Sequence, residues 1–192
     1  MEKDKIVSTH KVLIIGGSAG SLEVLMQVLP RLNAIQDFAI VIVLHRKSGE
    51  DTTLEELLAL KTVIPVQDVE DKTPLEPGYI YIAPSDYHLL FEKDKTLSLD
   101  ISEKINYSRP SIDVAFESAA DIYGEGLTAI LLSGANSDGT NGVIAIKQAG
   151  GTVIIQDPET ADMAYMPKSA INNMTADHIF DVKQIIEFIN SI

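Results

Sequence analysis

Apolar positions along the chain switch between two patterns, continuous short runs and helical-period stretches. Val12-Leu13-Ile14-Ile15 is an unbroken apolar run that ends at once in Gly16-Gly17-Ser18-Ala19-Gly20-Ser21. Leu22, Leu25, Met26 and Leu29 then recur at helical spacing as far as Pro30, so this stretch predicts strand, tight glycine turn and helix. The run from Phe38 to Leu44 is apolar at every position, as expected of a strand covered on both faces in a parallel sheet. Residues 52–58 read as the start of a helix, and Val63-Ile64 with Val66 as a short strand. In the middle of the chain Pro74, Pro77-Gly78 and Pro84 punctuate β-like pieces at 79–82, 88–91 and 97–101, with a hairpin turn at 92–95. A helix then opens at Pro110 with Ser108 or Ser111 as its cap. It is followed by a strand at 127–132, a helix at 142–149, a strand at 152–155 and helices at 167–172 and 182–189.

Strands alternating with helices over short connections imply an α/β fold: three layers, a doubly wound and mostly parallel sheet with helices on both faces. The β-rich middle reads as a small antiparallel insertion or edge. No repeat, low-complexity tract or linker divides the sequence, so residues 1–192 are expected to form a single domain.

Composition narrows the chemistry. With no cysteine among 192 residues, a disulfide scaffold, a thiolate metal site and a cysteine nucleophile are excluded. Fifteen Lys+Arg against 28 Asp+Glu give a formal charge of -13, which argues against nucleic acid as a partner. No run reaches the ~18–20 apolar residues of a membrane span. The charged N-terminus has no apolar core of signal-peptide length, so a cytoplasmic protein is expected. His10, His88 and His178 are scattered and lack the spacing of a helical metal pair, and neither metal nor cofactor is expected.

Three predicted strand ends carry unusual polar residues. They are the turn at Ser18, the pair His45-Arg46, and Ser133-Gly134-Ala135-Asn136-Ser137-Asp138-Gly139. Ligands of open α/β sheets bind outside the carboxyl ends of the strands, so Ser18, His45 and Asp138 are expected on one edge. A serine attacks an acyl carbon when an imidazole takes its proton and a carboxylate fixes the tautomer. A glycine turn at a helix N-terminus is equally the form of a phosphate cradle. Here the sixth position counted from Gly17 is Leu22 rather than glycine, and no acidic residue ends the second strand. Spacing alone leaves nucleotide binding and nucleophilic catalysis both open. Asp138 also reads as a cap for the helix beginning near Gly139, able to bond amides and an imidazole together. Asp51, Asp68, Glu70 and Asp71 read as surface charge, and Asp157, Glu159 and Asp162 as a polar loop beside the site.

Taken together these segments resemble the catalytic domain of the CheB family of bacterial protein-glutamate methylesterases. The resemblance runs from Val12 to about Ile189. It rests on Ile15-Gly-Gly-Ser-Ala-Gly-Ser21, Val43-Leu-His45, the run from Pro77 to His88, and Arg109-Pro-Ser-Ile-Asp113. Leu131-Leu-Ser-Gly-Ala-Asn-Ser-Asp-Gly139, Gln148-Ala-Gly-Gly-Thr and Ala164-Tyr-Met-Pro-Lys-Ser-Ala-Ile171 complete it. It implies Ser18 as nucleophile, His45 as general base and Asp138 as orienting carboxylate. The implied activity is hydrolysis of methyl esters on receptor glutamates, with glutamine deamidation by the same acyl chemistry and no cofactor.

Three departures stand out. Ser18-Ala19-Gly20-Ser21 replaces the family's usual Ser-Thr-Gly-Gly. Ala135 follows Ser133-Gly134 where the family has a methionine after Thr-Gly; that residue's amide serves the oxyanion, and Ala135 retains an N–H. Only about ten residues precede the first strand, so no phosphorylatable receiver domain is expected in cis, and a separate receiver protein becomes a candidate partner. The expected function is a serine esterase, its oxyanion held near Ala19 and Ala135, acting on a methylated chemoreceptor or another methyl-glutamate protein. A catalytically lapsed signalling module and a nucleotide-binding domain are the alternatives. A strongly acidic enzyme is repelled by Glu-rich receptors at long range, which makes Arg46, Lys47 and Arg109 candidates for a less acidic site face.

Overall fold

The computed structural model describes residues 11–49 and 52–192; His10 and Asp51 lie outside them. In chain order the first half runs β1 (Lys11–Gly17), α1 (Ser21–Val28), β2 (Phe38–Leu44), α2 (Thr53–Ala59), β3 (Val66–Gln67), β4 (Thr73–Pro74) and β5 (Ile80–Ile82). Next come β6 (His88–Phe91), β7 (Thr96–Asp100), α3 (Ile112–Tyr123), β8 (Leu127–Leu131) and α4 (Thr140–Gln148). The chain closes with β9 (Thr152–Gln156), α5 (Tyr165–Asn173), β10 (His178–Phe180) and α6 (Val182–Ile189).

Seven strands in the order β10-β9-β8-β1-β2-β5-β3 form one sheet in which every pairing is parallel. Alternate residues of its strands enter opposite cores. Val12, Ile14 and Val41 face α3, α4 and α5 through Ile112, Phe116, Val143, Ile146 and Met166. Leu13, Ile15, Ile40 and Ile42 face α1, α2 and α6 through Leu25, Val28, Leu58, Ile185 and Ile189. This is the expected three-layer arrangement, and it explains the unbroken apolar runs, since both faces of the central strands are covered. The antiparallel piece is a separate three-stranded sheet, β4-β7-β6, whose Leu89, Phe91 and Leu97 join the α3 side of the core.

Two local expectations shift and one strand is new. Ile80–Ile82, read with the antiparallel middle, pairs parallel in the main sheet between β2 and β3. Val63 is exposed, and the short strand sits at Val66–Gln67. The edge strand β10 follows α5 at a position that carries only three strand residues, beginning with exposed His178 and Ile179. Among the described residues no helix is long and apolar enough to cross a membrane.

The winding sets the site. From β1 the chain builds outward through β2, β3 and β5, then returns to lay β8 against the other side of β1 before continuing to β9 and β10. The reversal at β1 places the loops after β1, β2 and β8 side by side at the carboxyl edge, where α/β sheets bind ligands.

Candidate active site

Ser18 follows β1 directly, and its backbone extends the sheet ladders on both sides. Its N–H donates to the Ser133 carbonyl (2.9 Å), while the preceding Gly17 carbonyl accepts from His45 N–H (3.2 Å). The Ser18 carbonyl accepts from Ser21 N–H at 3.0 Å and from Ser21 Oγ at 2.5 Å, closing the turn. Gly20 enters the helix at φ 82°, in the left-handed region where a Cβ is strained. The sequence therefore needs a glycine at that position, while Ser21 contributes a clamp that glycine lacks.

His45 leaves the end of β2 with its ring mostly buried, its Nδ1 3.1 Å from Ser18 Oγ and its Nε2 2.6 Å from Asp138 Oδ2. A carboxylate can only accept, so Nε2 carries the proton and Nδ1 presents its lone pair to the serine hydroxyl. The ring is thus used in the reverse sense from the serine-protease template, in which Nε2 faces the nucleophile.

Asp138 is 1% exposed and accepts five hydrogen bonds. Oδ2 takes His45 Nε2 and Ile112 N–H (2.7 Å); Oδ1 takes Asp113 N–H (2.9 Å), Ser111 Oγ (3.1 Å) and Gly139 N–H (3.1 Å). Burial, the largest single influence, pushes this carboxyl up, but the bonds from His45, Asp113 and Ile112 together outweigh it and hold it below the ordinary range. The helix capped is α3 rather than the neighbouring α4 anticipated from sequence: Gly139 caps α4 with no side chain, and Asp138 reaches across to the amides of α3. Ser111, not Ser108, is the residue that caps α3 locally, through Val114 N–H (3.4 Å). Gly16 makes this approach possible, because a Cβ there would lie 2.7 Å from Ile112 and 2.8 Å from Phe116.

Asp113, buried beside Asp138, accepts Gly142 N–H (2.8 Å) in the first turn of α4. Burial raises its carboxyl to about 6; the Gly142 bond opposes this, and repulsion from Asp138 and Glu117 adds to it. Asp113 entered the sequence reading only as part of a motif.

A second buried network escaped sequence reading. Ser133 Oγ bonds the Ala19 carbonyl (2.8 Å) and accepts Met163 N–H (2.9 Å), while Ser133 N–H donates to Gln156 Oε1 (2.9 Å). Gly134 is clasped by the Met163 carbonyl and by Met166 N–H. The polar loop at 157–165 therefore packs against the turn that carries Ser18, with Asp162 Cβ 2.6 Å from where a Cβ on Gly20 would stand. Ala19 and Ala135 are both exposed, and among the described residues neither amide has a hydrogen-bond partner. Two of the three cations expected to lighten the site face, Arg46 and Arg109, are otherwise engaged. Arg46 forms a two-nitrogen ion pair with Glu55, and Arg109 donates to the carbonyls of Ile101 and Ser102 (2.9 and 2.8 Å). Lys47 is exposed.

A hydroxyl, an imidazole with its lone pair aimed at that hydroxyl, and a buried ionised carboxylate behind it are together able to activate an oxygen nucleophile. Among the described residues no group of three or more His, Asp or Glu side chains is placed to hold a metal ion.

The CheB methylesterase family profile matches residues 13–189. A Leptospira interrogans protein, provisionally named a protein-glutamate methylesterase/protein-glutamine glutaminase, is 41% identical over 178 residues, covering 93% of this chain and 92% of that protein. The Thermotoga maritima protein-glutamate methylesterase/protein-glutamine glutaminase is 36% identical over 180 residues, 92% of this chain. The chain spans about half of that relative's length, 52%. The crystal structure of the Thermotoga maritima CheB methylesterase catalytic domain superposes with a TM-score of 0.90 at 35% identity, covering 95% of this chain and 98% of that one. With this match extending across nearly the whole sheet and all three loops that meet at Ser18, the chain belongs to the CheB methylesterase family.

Proposed function

We propose that this chain is a serine hydrolase that removes methyl esters from glutamate side chains of a protein, and that the same acyl chemistry deamidates glutamine. The observation that carries this reading is the unbroken line Ser18 Oγ, His45 Nδ1, His45 Nε2, Asp138 Oδ2, with spacings of 3.1 and 2.6 Å. Family membership supports the substrate class, since the Leptospira and Thermotoga relatives carry methylesterase/glutaminase names.

In this mechanism His45 Nδ1 takes the Ser18 proton as the oxygen attacks the γ-carbonyl carbon. The amides of Ala19 and Ala135 hold the oxyanion; Ser18 N–H is unavailable because Ser133 already occupies it. His45 returns the proton to the departing methoxide, and methanol leaves. Water then gives a proton to Nδ1 and attacks the acyl carbon; as the Ser18 Oγ–acyl bond breaks, Nδ1 returns that proton to Oγ, releasing glutamate and restoring the serine. Asp138 stays ionised throughout, stabilising the imidazolium and fixing the ring. A methylated chemoreceptor is the substrate to test first, and a separate receiver-domain protein the regulator to test. A fluorophosphonate probe is expected to label Ser18 stoichiometrically; an unlabelled, folded chain would favour instead a signalling module that has lost its chemistry.

A further inference from the structure

A second histidine stands behind Asp138. His88 opens β6 and is 1% exposed. Its Nδ1 accepts the backbone N–H of Ser111 (3.2 Å), and its Nε2 lies 2.9 Å from the Glu103 carbonyl. An amide can only donate and a carbonyl can only accept, so the ring is neutral with its proton on Nε2. Both nitrogens are committed.

The bond to Ser111 matters because of where Ser111 sits. It is fully buried at the start of α3, its Oγ donates to Asp138 Oδ1, and the next two amides, Ile112 and Asp113, also end on Asp138. Three of the five donors holding the carboxylate, one hydroxyl and two amides, thus come from residues 111–113, and His88 accepts the N–H at the head of that stretch. At its other end the ring ties down the loop between β7 and α3, which Arg109 also grips at Ile101 and Ser102. A buried backbone N–H without an acceptor is rare and unfavourable, so the ring fixes the Ser111 peptide rather than merely filling space.

We propose that His88 is a positioning residue for the ester hydrolysis proposed above, setting the orientation of Asp138, and through it of His45, by way of the Ser111 backbone. No part of His88 approaches the reacting atoms in this account. What it governs is how accurately the carboxylate is presented, and misplacing a group of this kind lowers turnover without altering substrate affinity.

The two ring nitrogens can be tested separately. His88→Asn keeps an acceptor near the Nδ1 position, His88→Gln keeps a donor near the Nε2 position, and His88→Leu keeps neither. Two quantities are read for each folded variant. One is kcat and KM on a small activated ester; the other is the proton resonance of His45 Nε2–H, which reports the bond to Asp138 without any turnover. The expected result is a kcat lower by about 10–100-fold with KM unchanged in the Gln and Leu variants, together with a displaced His45 resonance. The Asn variant is expected to retain most of both. Wild-type kcat and an unmoved resonance in folded His88→Gln would overturn the proposal. So would equal losses in the Asn and Gln variants that track their melting temperatures, since that is a structural effect alone. A wild-type chain that hydrolyses no ester counts against the esterase reading, and the resonance then decides the role of His88 by itself.

Discussion

Asp138 and Asp113 exchange helix caps. Asp138, in the loop before α4, accepts the amides of Ile112 and Asp113 at the start of α3; Asp113, in α3, accepts the amide of Gly142 in α4. Each carboxylate lies at the positive end of the other's helix, where negative charge is favoured. The helices approach closely enough for this because Gly142 has no Cβ; one there would lie 2.5 Å from Phe116 Cβ. Two buried acids are thereby placed side by side, and they respond to the pairing differently. Asp138, with five donors, is held low; Asp113, with its burial incompletely offset, is raised to about 6.

The raised carboxyl makes a signed prediction. An unfolded aspartate titrates near ~3.9, so between about pH 4 and 6 the native state binds more protons than the unfolded one. Asp113 therefore contributes a loss of stability as pH rises through that window, with no further change above it. Asp113→Asn retains an acceptor for Gly142 and removes the charge. Its melting temperature relative to wild type should be higher at pH 8 than at pH 4 by several degrees, since ~1 kcal/mol shifts a chain of this size by about 2–4 °C. An identical offset at both pH values would show that the Asp113 charge is not strained in the fold.

Asp138 gives the opposite sign. Its folded value lies below the unfolded one, so its stabilisation is present above about pH 4 and is lost as pH falls through the folded value. In Asp138→Asn an amide nitrogen must face at least two of the five donors, leaving them without an acceptor. Destabilisation of order 3 kcal/mol at pH 7 is expected, narrowing toward pH 3, as read by urea unfolding. Activity should fall by roughly three to four orders of magnitude, because the imidazole loses its enforced tautomer.

Much of this fold was legible in advance for a simple reason: β1 and β2 are covered on both faces, so their apolar runs are uninterrupted and bounded by turns. The same logic hid β10, a three-residue edge strand with two exposed positions whose pairing to β9 supplies what its own composition does not. Ser18, His45 and Asp138 could be named because each lies in the turn or loop that follows an apolar strand. Their supports could not. Ser133, Gln156, Ser111 and His88 act through partners 23 to 114 residues away, and nothing in local spacing encodes a hydrogen bond of that range. Asp138 shows the limit well: an aspartate just before a helix reads as that helix's cap, whereas tertiary packing gives it to another.

Ser133 is the support most open to dissection. Its hydroxyl joins the Ala19 carbonyl to the Met163 amide, holding from its carbonyl side the residue whose N–H is proposed to serve the oxyanion. Ser133→Ala removes both bonds, and the one to the Ala19 carbonyl, worth ~1–1.5 kcal/mol, is the one that holds the turn, so kcat should fall by about tenfold. Ser133→Thr, which preserves the hydroxyl, should recover it. Equal activity of Ala and Thr variants would mean that the turn holds its shape without this link.

The central claim is that Ser18 performs acyl chemistry on methyl-glutamate, and the most direct measurement is methanol release from a methylated chemoreceptor by wild type and Ser18→Ala. Wild type should release methanol while the Ser18→Ala variant, equally folded, releases it no faster than the uncatalysed background. Release by that variant at the wild-type rate would contradict the account.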